Sequence, residues 1–152
     1  MGSRVAGAAR WRRSRYGPLA RLILDTTVLV DAERGGIATL DRLVGDEDDV
    51  AIAAISVAEL AVGVELADDD RRAARKAFVA AVLEAVSTEP YDTDVARAHG
   101  ALLADTRRTG RPRGAHDLII AATARARERE VVSSDSGGFA ELPEVPVRGI
   151  EL

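Results

Sequence analysis

Ten residues, Ala115-His116-Asp117-Leu118-Ile119-Ile120-Ala121-Ala122-Thr123-Ala124, constrain this chain more than any others. After Asp117 the run is apolar on nearly every face, and a helix of that kind lies inside a domain rather than on it. A carboxylate in its first turn is therefore carried to the edge of the core. Acids favour helix N-termini, where free amides and the helix dipole welcome negative charge, so Asp117 has a plain structural account. The alternative is a buried acidic site, and the rest of the chain must choose between them.

The chain has 152 residues, enough for one domain with a real core. It has no Cys, which removes disulfide frameworks, thiolate metal sites and cysteine nucleophiles and suits a reducing cytoplasm. With only two His, any metal must be a hard ion held mostly by carboxylates. The formal charge of −4 conceals an asymmetry: residues 1–21 hold six Arg and no acid, so the remainder carries 15 basic against 25 acidic residues. An acidic body repels nucleic acid at long range, and a polyanionic ligand then needs local Arg clusters or divalent cations.

Residues 1–18 mix Gly, Ala, Ser and Arg without sustained periodicity and read as a flexible Arg-rich extension, or as an extended or misassigned start, ahead of a domain over 19–152. No stretch is long enough to span a membrane. Leu22-Ile23-Leu24 is a continuous apolar run ending at Asp25, as expected of a strand buried on both faces. Thr26 and Thr27 are placed to cap a helical turn through Ala32, and a second helix is expected from Ile37 to Val44. Val50 to Ile55 reads as a second strand, running into Ser56-Val57-Ala58-Glu59, which has the form of a capping box. An amphipathic helix is expected over Arg71 to Ala85, and an edge strand over Val86 to Tyr91, where Pro90 removes a donor. A helix follows from Thr93 to about Thr109, capped at its start by Asp92 or Asp94 and closed by Gly110. After the Arg111-Pro112-Arg113-Gly114 loop comes the apolar helix, ending near Glu130. Val131 to Ser134, leading to Asp135, and Val145 to Ile150 complete the strands.

This alternation predicts an α/β fold, a central parallel sheet of about five short strands with helices on both faces. In such sheets the ligand site lies beyond the carboxyl ends of the strands. Asp25, Glu59, Asp117 and Asp135 all follow strands or open helices at that edge. Four carboxylates drawn together cannot all stay ionised without compensation, and Mg²⁺ or Mn²⁺ would supply it while leaving positions for phosphate oxygens and water. The chemistry this favours is in-line phosphodiester hydrolysis.

The stretches Leu24-Asp25-Thr26-Thr27-Val28-Leu29-Val30-Asp31-Ala32, Ile55-Ser56-Val57-Ala58-Glu59-Leu60, His116 to Ala124 and Val131-Val132-Ser133-Ser134-Asp135 resemble, in order and spacing, the motifs of PIN-domain ribonucleases, specifically VapC-like toxins of type II toxin–antitoxin pairs. The resemblance covers about Leu22 to Leu152. It implies a PIN-like fold and a metal-dependent endoribonuclease acting on structured RNA such as tRNA or rRNA. By the same resemblance Asp25, Glu59, Asp117 and Asp135 match an acidic quartet that holds Mg²⁺ or Mn²⁺ and activates water, and Thr27 and Ser133 match hydroxyl positions lining the pocket. It further implies a homodimer and a cognate antitoxin whose C-terminal segment enters the groove. The Arg-rich extension and the Ser136-Gly137-Gly138 loop depart from the pattern.

Arg107, Arg108, Arg111 and Arg113 cluster just ahead of Asp117 and are the candidates for RNA phosphate contacts, against a plain reading as cations suited to a helix end. Asp31 is placed to shape the pocket, whereas His99 and His116 need no catalytic role. Phosphotransferases of the haloacid dehalogenase or receiver type also carry an Asp after the first strand. They need a Lys near a later strand end, and the single Lys, Lys76, falls on the polar face of a helix. A Toprim-like reading of Asp92-Thr93-Asp94 leaves Asp117 and Asp135 unexplained, and no glycine-rich phosphate loop is present. The remaining alternative is a non-catalytic PIN-fold RNA-binding or assembly module.

Overall fold

The computed structural model describes residues 20–35 and 48–150. The expected helix over Ile37 to Val44 and the extension over 1–18 lie outside them. Five parallel strands form one sheet: β1 (Arg21–Leu24), β2 (Asp49–Ala53), β3 (Ser87–Glu89), β4 (Glu130–Ser133) and β5 (Val147–Gly149). Their spatial order is β3-β2-β1-β4-β5. From β1 the chain builds outward to β2 and β3, then crosses back to lay β4 on the other side of β1. The order therefore reverses between β1 and β4, and their carboxyl ends frame the crevice that forms at such a switch point.

Five α-helices are described: α1 (Thr26–Gly35), α2 (Ala54–Glu65), α3 (Asp69–Ala85), α4 (Thr93–Thr109) and α5 (Ala115–Ala126). The alternation of side chains along each strand divides the core in two. Leu22 and Leu24 of β1, Val50 and Ile52 of β2 and Val132 of β4 pack with α1, α2 and α3 through Val28, Leu29, Leu60, Phe78 and Val82. Ile23, Ala53 and Val131 face the other way, onto α4 and α5 through Val95, Leu102, Leu118, Ile120 and Ala121. The expected three-layer α/β architecture is what the chain adopts.

Local chemistry explains most boundaries. The Asp92 carboxylate caps α4 by accepting from the Val95 amide at 3.1 Å. Gly110 ends α4 in the left-handed region, φ 65°. The helix-start acids Asp69 and Asp70 place the beginning of α3 two residues before the expected Arg71. Three expectations are corrected. The strand expected to Ile55 stops at Ala53, and α2 begins at Ala54 with no side-chain cap. Ser56 is thus inside the helix, and its hydroxyl accepts from Thr26 Oγ1 at 3.0 Å instead of closing a capping box with Glu59. A short apolar run reads equally as strand or buried helix, and here the helix takes over from Ala54. The apolar helix α5 ends at Ala126, not near Glu130. Glu128 there takes the left-handed conformation usually given to glycine, φ 53°, and the Arg129 amide closes back on the Ala124 carbonyl at 2.9 Å. The edge strand β3 spans Ser87–Glu89, within the expected Val86 to Tyr91.

Candidate active site

Asp25 lies where β1 turns into α1, and it is almost fully buried, at 2% exposure. Its amide donates to the Val132 carbonyl at 2.9 Å, and its carbonyl accepts from the Val28 amide at 3.1 Å, so its backbone ties β1, β4 and α1 together. Its carboxylate oxygen Oδ2 accepts from Thr27 Oγ1 at 2.7 Å and from Ser133 Oγ at 2.8 Å. A buried charge must be paired or hydrogen-bonded, and these hydroxyls supply bonds without supplying a positive charge. Thr27 therefore serves the Asp25 carboxylate, not the helix cap expected of it. Ser133 also accepts from the Asp135 amide at 3.0 Å, linking the two acids through one hydroxyl.

Asp117 sits in the first turn of α5, half-buried. Burial pushes its carboxyl above the usual range, and the negative charges of Asp25 and then Asp135 push it further, opposed only by His116. Two glycines crowd it. A Cβ on Gly138 would stand 2.7 Å from Asp117 Oδ2, and one on Gly114 3.1 Å, so the turn after β4 is packed directly on this carboxylate. Glu59, on α2, is also raised, by burial first and then by the charges of Asp25 and Asp117, while His116 and the Thr26 hydroxyl favour its ionised form. His116 Nδ1 lies 3.2 Å from Glu59 Oε1. Asp135 precedes a single 3₁₀ turn, Ser136–Gly138.

The four expected acids thus come from the ends of β1 and β4, the first turn of α5 and the second turn of α2, and they act on one another electrically. Glu59 does not open α2 as expected, because the helix already starts at Ala54. Neither Asp117 nor Asp135 has a side-chain hydrogen bond or an Arg or Lys partner among the described residues. Asp31 joins the rim: its Oδ2 accepts from Ser134 Oγ at 2.8 Å, and it lines a pocket of about 240 Å³ with Thr26, Thr27, Val30 and Glu59.

The arginines divide. Arg107 and Arg108 are exposed and carry no ion pair among the described residues. Arg111 pairs with Glu141, and Arg113 donates to the carbonyls of Gly137 at 2.8 Å and Ala140 at 2.6 Å. Sequence reasoning did not find Gly114 and Gly138 as neighbours of Asp117, or Thr26 and Ser56 as a bonded pair beneath Glu59. The glycines flanking the two acids were the available signal.

The donor set is all oxygen, strongly negative and without a built-in cation, which suits a hard divalent ion. Among the described residues no three His, Asp or Glu side chains converge into a ready-made metal cage. That is compatible with Mg²⁺, which keeps several waters and needs only one or two direct carboxylates. The residues therefore fit such an ion as a partly hydrated guest.

A family model for the PIN domain matches residues 22–145. The chain belongs to the PIN-domain family, and within it the likeness is to VapC proteins. It is 37% identical over 121 residues to Ribonuclease VapC5 of Mycobacterium tuberculosis, covering 79% of this chain and 86% of the relative. It is 26% identical over 132 residues to Ribonuclease VapC of Rickettsia bellii, covering 86% and 97%. Among solved structures it superposes on VapBC-5 of the VapBC toxin–antitoxin family from Mycobacterium tuberculosis with a TM-score of 0.70 at 32% identity, covering 86% of this chain and 99% of the other. VapBC2 from Rickettsia felis, solved with a promoter DNA fragment, gives 0.78 at 20% identity over 86% and 99%, a likeness of fold alone. No helix among the described residues is long and apolar enough to cross a membrane.

Proposed function

We propose that this chain is a VapC-type endoribonuclease, the toxin of a toxin–antitoxin pair, whose domain over 19–152 cleaves structured RNA, tRNA or rRNA, in the cytoplasm. The observation that carries the reading is the uncompensated group of Asp25, Glu59, Asp117 and Asp135 at the switch point of the sheet. A divalent cation, Mg²⁺ or Mn²⁺, held among these four would offset their charge, polarise a phosphate and lower the pKa of a bound water.

The remaining work falls to the chain. Thr27 and Ser133 fix the Asp25 carboxylate in one orientation, so that its Oδ1 is left for the site. Burial and like charge raise the Asp117 and Glu59 carboxyls above the usual range, and a cation among them would offset that charge. His116 steadies Glu59 from the solvent side. Arg107 and Arg108, without an ion pair among the described residues at the end of α4, meet RNA phosphates on a body that otherwise repels them. The VapBC names of the structural neighbours support a cognate antitoxin as partner, and we propose a homodimer as the assembled form.

The lack of a ready-made cage favours a second reading, a non-catalytic RNA-binding or assembly module. One experiment separates them. The purified chain is incubated with structured RNA and Mg²⁺ or Mn²⁺, with and without chelator, beside Asp25→Asn and Asp117→Asn variants shown to be folded by circular dichroism. Chelator-sensitive cleavage lost in both variants is expected; cleavage retained in both sinks the site assignment, and none by the native chain selects the second reading.

A further inference from the structure

Arg113 is more than a surface cation. Its guanidinium bridges two backbone carbonyls, that of Gly137 inside the 3₁₀ turn and that of Ala140 two residues past its end. One residue later Gly114 is the N-cap of α5, and Asp117 stands in that helix's first turn. The turn so gripped follows Asp135 directly, and its Gly138 lies against Asp117 Oδ2 with no room for a methyl group. Arg111 adds an outer ion pair to Glu141. On the inner side Phe139 is buried in the α5 face of the core, at 1% exposure. The segment is therefore pinned from below by a hydrophobic anchor and from above by two charge-assisted hydrogen bonds.

We infer that Arg113 is a positioning residue that clasps the Asp135 turn onto the start of α5, setting the separation of Asp135 and Asp117 and with it the affinity of the site for a divalent cation. This rests on the proposed metal-dependent reading of the site. It separates Arg113 from Arg107 and Arg108, whose guanidiniums have no partner among the described residues. Groups that orient metal-binding side chains from outside typically govern metal affinity by about 10- to 100-fold. Asp117 and Asp135 come from separate elements and share no hydrogen bond, and the clasp ties those two elements together beside them. A lysine at 113 places one ammonium where the fork of a guanidinium reached two carbonyls, so it restores only part of the effect.

The test uses the full chain with Mn²⁺ alone as probe, read by electron paramagnetic resonance, and RNA binding read by fluorescence anisotropy in chelator. Arg113→Ala is expected to weaken Mn²⁺ binding about tenfold, to shift the Mn²⁺ concentration for half-maximal cleavage in parallel, and to leave RNA binding in chelator unchanged. Arg113→Lys falls between, and Arg111→Ala, which loses only an exposed ion pair, changes Mn²⁺ binding less than about twofold. Unaltered Mn²⁺ affinity in Arg113→Ala, or a loss of RNA binding in its place, overturns the clasp and makes Arg113 a phosphate contact. Absence of Mn²⁺ binding by the native chain overturns the proposed function itself. Because Arg113 is at the surface and Phe139 remains seated, the Ala variant folds, which its melting temperature checks.

Discussion

Two groups of acids in this molecule are treated in opposite ways. Under the α4–α5 side of the sheet, Glu89 receives Arg129 at 3.0 and 2.7 Å and Arg127 at 3.1 Å, while Asp49 receives Arg129 and Arg21. Arg129, 4% exposed, also donates to the Leu22 and Asp49 carbonyls, bridging the neighbouring strands β1 and β2. Burial alone would push Asp49 up, but the bonds and charges of Arg129 and Arg21 outweigh it and hold it low. At the β1/β4 switch point the acids receive hydroxyls and one histidine, and Asp117 and Glu59 are pushed up. The first group is finished as it stands. The second is complete only with something positive added, and that contrast points to where ligand chemistry belongs.

The contrast breaks most visibly in activity. Asp25→Asn and Asp117→Asn keep shape and remove charge, and each is expected to lower cleavage by about a thousandfold, roughly 4 kcal/mol of transition-state stabilisation. Single-turnover rates at saturating RNA and Mn²⁺ measure it; a loss below about tenfold in both would remove the second group's claim to chemistry.

Next in size is the paired region. Arg129→Ala leaves carbonyls and part of Glu89 unsatisfied in a buried site, and breaking such a pair costs about 3–5 kcal/mol. Arg127 still holds Glu89 Oε2, so the expected loss is about 3 kcal/mol, at the low end. The double variant Arg129→Met with Glu89→Gln, which removes both charges, is expected to recover most of it, by urea unfolding. A single variant as costly as the double would mean that the network acts through its carbonyl bonds and not its charges.

How far these features were legible from residues alone depends on their range. Strands buried on both faces announce themselves as apolar runs, and Asp92 and Gly110 mark α4 by local rules, so the sheet and most boundaries could be read. The acids could be read too, because strand ends of a parallel sheet share an edge. The α2 start could not, since Ala53-Ala54-Ile55 carries no period and Ser56 is claimed by Thr26, thirty residues earlier. The α5 end was hidden by Glu128 standing where a glycine is expected. Arg129 and Arg113 looked like surface cations because their partners lie far away in the chain, and only the fold brings Glu89 or Gly137 to them.

A smaller effect sharpens the electrical side of the contrast. The Asp117 carboxyl is raised in the folded chain, so the folded state binds its proton more tightly than the unfolded state does. Below the unfolded value of about 3.9 the carboxyl is protonated in both states and costs nothing. As pH rises the cost appears, and it is complete once pH exceeds the raised folded value. Asp117→Asn is therefore expected to stabilise the metal-free chain at neutral pH by about 1 kcal/mol, with the gain vanishing toward pH 4. Unfolding curves in chelator at several pH values check this, and an Asn variant no more stable at pH 7 than at pH 4 would show that the acids do not strain one another.

The smallest effect separates burial from mere pairing within the first group. Arg21 and Arg129 both reach Asp49, at 3.3 and 3.0 Å, yet the Arg21 side chain is 37% exposed and that of Arg129 is 5% exposed. Water screens the Arg21 pair and already solvates its guanidinium, so Arg21→Ala is expected to cost about 0.5 kcal/mol or less. High salt should erase that difference while leaving the Arg129→Ala loss nearly intact, because buried pairs are screened far less. If the two variants lose equal stability and respond alike to salt, proximity and not desolvation governs the paired region, and the distinction drawn from its finished charges would lose its physical basis.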